Sequence, residues 1–153
     1  MRSIKYIFII ILVTLFLAKQ YAKFEQEPFV DPQLTSLVEE WKELMEENDI
    51  QYMAGFKRID NIIIGNSSSH AGLSDKTNSL IQLNIDELRS GPYTARVILF
   101  HELGHYVFNL NHCEERSIMY HKCLDEKYYK DNYESIISEY LNKCKSKEYE
   151  GRF

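Results

Sequence analysis

Residues 100–120 read FHELGHYVFNLNHCEERSIMY. The stretch continues an apolar run that opens at Tyr93, just after the chain break Ser90-Gly91-Pro92. Tyr93–Phe108 is predicted as a helix that is apolar on most sides and therefore largely buried. His101 and His105 stand four positions apart, on one helix face, close enough to share one metal ion. Neutral imidazole is a good zinc ligand. Glu102, next to the first histidine, is placed to meet a water on the metal rather than the metal itself. A buried helix with incidental histidines would show the same five residues, so the sequel matters. His112 follows His105 by seven residues, and Met119 follows by seven more inside Ser117-Ile118-Met119-Tyr120.

These residues resemble the metzincin clan of zinc metallopeptidases, whose pattern is HExxHxxGxxH followed by a Met-turn. The likeness extends to the short modules of small exported bacterial members. It implies His101, His105 and His112 as ligands of one catalytic zinc ion, Zn2+. It also implies Glu102 as general base and Met119 as the apolar floor below the metal. The residue at the strict third-ligand position is Asn111, and His112 is one place late. Phe108 holds the expected Gly position, with Asn109 next. One inserted residue reconciles both, because Asn is the commonest non-Gly residue in the left-handed conformation that ends helices. Some metzincins place a Tyr near the zinc two residues after the Met. Here that place is His121, with Tyr120 adjacent, so both are candidates for oxyanion or substrate contacts. The reaction implied is peptide-bond hydrolysis by a zinc-activated water, with Glu102 relaying its proton to the leaving amine.

Working outward, residues 25–50 are acidic, with nine Asp or Glu against Lys42 alone. Leu34, Leu37, Val38, Trp41, Leu44 and Met45 recur there at helical spacing, with Asp31 as N-cap and Pro32 at the first helical position. The remaining Glu residues read as a solvated face. Ile59 and Ile62–Ile64 form a β-branched run that Gly65-Asn66 ends. Asn66–Asp75 is turn-rich and reads as a loop, with His70 as a surface histidine. Asn66-Ser67-Ser68 fits a glycosylation acceptor, of consequence only in a eukaryotic secretory pathway. Leu80–Ile85 alternates like a half-buried strand, and the metzincin resemblance implies that it is the edge strand that pairs with extended substrate. Gly104 leaves a bare helix position against which a strand can pack. A last helix is predicted over Asp131–Lys147, with Tyr133, Ile136, Ile137, Tyr140, Leu141 and Cys144 on its core stripe.

Arg2 and Lys5 precede an apolar run from Tyr6 to Ala18, the form of a secretory signal and short for a membrane-spanning helix. Residues 1–22 are therefore expected to be a signal peptide or signal anchor, and residues 23–153 a zinc metallopeptidase domain. The domain would be exported: secreted, periplasmic, or held outside the cytoplasm by an uncleaved anchor, its only membrane contact. The chain has 153 residues and a net charge of −5, which suits one acidic domain and argues against nucleic acid as a partner. Cys113, Cys123 and Cys144 would, in an oxidising compartment, allow one disulfide and leave one thiol, with the pairing open.

The expected architecture is α+β and minimal: an N-terminal helix, a short mixed sheet with an antiparallel edge, the active-site helix, the Met-turn and a C-terminal helix. The expected partner is a peptide or protein substrate. Two other readings are a gluzincin, with Glu134 or Glu139 as third ligand, and a non-catalytic exported interaction module with a vestigial metal site.

Overall fold

The computed structural model describes residues 9–14, 27–66, 70–114 and 116–150, with residues 148–150 described by backbone alone. The proposed signal segment falls outside this range except for residues 9–14, which are helical and expose Ile9–Val13. Among the described residues no helix is long and apolar enough to cross a membrane.

The fold is α+β, with a four-stranded mixed sheet under helices. In chain order the elements are β1 (Phe29–Val30), α1 (Thr35–Glu47), α2 (Met53–Phe56), β2 (Asn61–Gly65), β3 (Gly72–Asp75), β4 (Leu80–Asn84), α3 (Ile85–Ser90), α4 (Pro92–Phe108) and α5 (Glu126–Glu150). The strands lie in the order β1-β2-β4-β3. β1 and β2 are parallel, as are β2 and β4, with Ile62 opposite Ile81. β3 runs antiparallel to β4, Gly72 opposite Leu83 and Asp75 opposite Leu80.

Two expectations about the sheet need correction. Leu80–Asn84 is an interior strand, not the edge: its buried Ile81 and Leu83 face the core, and both of its sides are paired. The edge belongs to β3, inside the stretch read as loop. Gly72-Leu73-Ser74-Asp75 has little strand propensity of its own and is extended because β4 supplies a ladder. Ile85 leaves the strand pattern because the Asn84 side chain accepts the Asp86 amide at 3.1 Å and starts α3.

α1 buries Val38, Trp41 and Met45, with Leu34 just before it, on the spacing read from the sequence. Asp31 does not cap it. Its carboxylate accepts the Gln33 amide at 2.9 Å and its carbonyl the Leu34 amide at 2.8 Å, so a separate turn precedes the helix. α5 starts five residues before the expected Asp131, because Asp125 accepts the Tyr128 amide at 2.8 Å.

α4 lies at the centre. Eleven of its residues are buried, which is why its sequence shows no single apolar face. Its first turn is held from outside: the Glu126 carboxylate accepts the Thr94 amide at 2.8 Å, the Thr94 hydroxyl at 2.9 Å and the Tyr93 amide at 3.3 Å. A carboxylate there also complements the positive end of the helix dipole. At the other end Asn109 adopts the left-handed conformation (φ 55°, ψ 37°) and ends the helix, the role read for it in place of Gly. The Leu110 amide then folds back to the Gly104 carbonyl at 3.2 Å. Gly104 is bare for a reason other than strand packing. A Cβ there would lie 2.9 Å from Met119 Sδ and 3.0 Å from Tyr140 Cε2, so the turn that carries Met119 and α5 fill the space.

Candidate metal centre

α4 brings His101 and His105 together and the turn at Asn109 returns the chain so that His112 meets them. The Nε2 atoms of His101 and His105 are 3.0 Å apart, those of His105 and His112 3.0 Å, and those of His112 and His101 3.2 Å. Nδ1 of His101 lies 2.6 Å from the Ile118 carbonyl, and Nδ1 of His105 lies 2.6 Å from the Leu110 carbonyl. A carbonyl only accepts, so each Nδ1 carries the proton and donates it, and each Nε2 is left with a lone pair. Lone pairs converging at this distance repel unless a cation sits among them. Tetrahedral ligands at the usual Zn–N length of about 2.0–2.1 Å are separated by about 3.3 Å, so the triangle fits zinc. Among the described residues these three histidines form the group that could hold a metal ion.

The electrostatics agree with the geometry. Burial holds His101 down to about 4, helped by the neighbouring His105 and His112. Burial also lowers His105. Both rings therefore stay neutral, the form that binds a metal. His112 is exposed, so the cluster opens to solvent on its side. Backbone carbonyls that fix the ring orientations are the usual outer support of metal-binding histidines.

Glu102 lies buried, 6 % exposed, against Gly72 of β3. Desolvation raises its carboxyl to about 7, opposed by hydrogen bonds from the Ser74 hydroxyl and amide. Gly72 makes this seat possible: a Cβ there would lie 2.8 Å from Glu102 Cγ and Oε1 and 2.9 Å from Ile98 Cγ2. Met119 is fully buried, its sulfur against Gly104. Its carbonyl accepts the Cys113 amide at 3.0 Å, and the Tyr120 amide closes on the Ser117 carbonyl at 3.2 Å. The turn thus places the Ile118 carbonyl against His101.

A cleft of about 470 Å³ opens over the cluster. Tyr120 and His121 line it, their rings edge to face at 4.6 Å, outside the metal-binding group. His70, expected on the surface, is exposed and also on the cleft wall. A second groove, lined by Leu73–Thr77, His105 and Asn109–Asn111, adjoins the cleft at Leu73, Ser74 and His105.

Neither glutamate proposed as an alternative ligand joins the cluster. Glu134 is exposed, and Glu139 pairs with Lys143 on α5. The expected disulfide is absent: none of the three cysteines is bonded to another. Cys144 is buried on the core stripe of α5, Cys113 lies beside the Ser117 hydroxyl at 3.0 Å, and Cys123 lines the cleft.

Sequence reading missed Gly72, Ser74 and Glu126. The first two sit in a segment with no strand signal. Glu126 acts across 32 residues of chain, and only its neighbourhood with the break at Gly91-Pro92 could have hinted at it. Comparison with family models, with curated proteins and with solved structures finds no match to this chain, so its function is argued from the geometry of the site.

Proposed function

We propose that this chain is a zinc metallopeptidase of metzincin-like build, an endopeptidase acting on a peptide or protein substrate. The observation that carries the reading is the convergence of three imidazole Nε2 atoms, at 3.0–3.2 Å, beside a buried carboxylate in an open cleft. A structural metal site has no need of that carboxylate. His101, His105 and His112 would hold the ion. A bound zinc ion supplies electrophilic pull on the scissile carbonyl and acidity to a water molecule.

Glu102 moves the proton. Its carboxylate accepts one from the attacking water and delivers it to the leaving amine nitrogen. An elevated pKa suits both halves of that task, and Ser74 keeps the carboxylate aimed while it changes charge. β3 offers its unpaired side to an extended substrate, whose backbone can continue the sheet. A cleft that adjoins a second groove at His105 favours cutting within a chain over trimming its end. The positive start and the Tyr6–Ala18 run support export of the domain.

Replacing Glu102 by Gln in the full chain tests the assignment. The variant should retain zinc, measured by elemental analysis. Its hydrolysis of a generic peptide should fall by about 10²–10⁴-fold, the usual worth of a general base. Hydrolysis within a few-fold of wild type overturns the role given to Glu102.

A further inference from the structure

The cleft holds a second carboxylate that the hydrolysis does not use. Glu87, on α3, lines the same cavity as Glu102 and the histidines. It is half-buried, and among the described residues no ion pair includes it, whereas its neighbours Asp86 and Arg89 pair with each other. Its position is fixed by a chain of contacts. The Cys123 thiol lies 3.8 Å from Glu87 Oε2, and the Tyr129 hydroxyl lies 3.9 Å from the Cys123 sulfur. Tyr129 is itself buried and held by the Leu124 amide at 2.8 Å. Val97, Ile98 and Ile118, all buried, add apolar wall to the same cavity.

An apolar wall that also carries a carboxylate matches one kind of guest, a long aliphatic stem with a cationic head. We propose that Glu87 is a specificity residue, selecting substrates that place a Lys or Arg side chain in the cleft it shares with the histidines. Lys122 and His121 also line the cleft, but both are exposed, so water screens them more than it screens Glu87. A cationic guest in place of an apolar one should gain about 10–100-fold from a partly desolvated ion pair.

This inference rests on the peptidase reading, so its test includes an arm that needs no turnover. In the first arm the full chain, supplied with zinc, is given a peptide set that varies one position at a time through Lys, Arg, Leu and Glu. Wild type should cut best with Lys or Arg at one position, by at least tenfold over Leu. Glu87→Gln should reduce that ratio at least fivefold, and Glu87→Lys should turn the preference toward Glu. In the second arm the Glu102→Gln chain binds fluorescent forms of the same peptides, followed by anisotropy. It should favour the basic peptide, and the added Glu87→Gln change should erase the preference. Absence of hydrolysis together with basic preference in binding overturns the peptidase reading but keeps Glu87 as the selector. Equal binding of basic and apolar peptides, an acidic preference, or a basic preference that survives Glu87→Gln overturns the proposal.

Discussion

Glu102 and His101 are neighbours in the chain, yet burial acts on them with opposite consequences. In the metal-free protein the Glu102 carboxyl is raised to about 7, so the folded state keeps a proton that the unfolded chain, near 4.5, has lost. That stabilisation is fully present below pH 4.5 and is lost as pH rises through about 7. His101 is lowered to about 4 from 6.5, so its stabilisation is present above pH 6.5 and is lost as pH falls through about 4. Across the shared window the two nearly cancel. Removing one exposes the other. Metal-free Glu102→Gln should gain stability relative to metal-free wild type as pH rises from 4.5 to 7.5, by roughly 3 kcal/mol at most. Urea unfolding at the two pH values measures this. A difference that stays flat, or falls, contradicts a buried and protonated Glu102. At this scale the histidine cluster was legible in the sequence, since His101, Glu102 and His105 lie within five residues and His112 only seven further on. The groups that orient them were not legible. The Ile118 and Leu110 carbonyls belong to the backbone, and every residue has one.

At the scale of elements, the site depends on how closely β3 approaches α4. Gly72 permits contact between backbone and carboxylate that any side chain would block. Gly72→Ala should push the edge strand off Glu102. Overpacking of this kind costs about 1–3 kcal/mol, and a displaced carboxylate should lower peptide hydrolysis at least tenfold. Urea unfolding and the peptide assay read the two effects, and a variant equal to wild type in both would show that the contact is slack. The helices were largely legible because their apolar residues repeat every three or four positions: Leu34, Val38, Trp41 and Met45 are all buried as that repeat requires. Their ends were less so. Asp31 and Asp125 are both good caps, and which turn each serves depends on the backbone around it. β3 was illegible because a four-residue strand of Gly, Leu, Ser and Asp takes its conformation from the ladder with β4, which sequence spacing does not encode.

Over the whole molecule, a buried polar thread joins the two outer helices to the central α4. Trp41 on α1 donates its indole N–H to the Tyr140 hydroxyl on α5 at 3.1 Å. Tyr140 in turn donates to the Phe100 carbonyl on α4 at 2.8 Å, one residue before His101. Burial of the whole group raises the Tyr140 pKa well above its ordinary value, so the hydroxyl remains a donor. Tyr140→Phe should leave the Trp41 N–H without its partner and cost about 1–3 kcal/mol, read by urea unfolding. A change below about 0.5 kcal/mol would remove the thread from the forces holding α1 and α5 to α4. No sequence pattern announced it, because its partners lie 99 and 40 residues apart. The α+β plan itself was legible, since helical periodicity and the alternating Leu80–Asn84 segment survive in the fold. The central claim, a metal centre of three histidines, is tested most directly by zinc bound per chain. Measured by elemental analysis after dialysis of the full chain, wild type should retain one equivalent and His112→Ala should retain well under a tenth. Wild type that holds no zinc, or His112→Ala that holds as much as wild type, would contradict it.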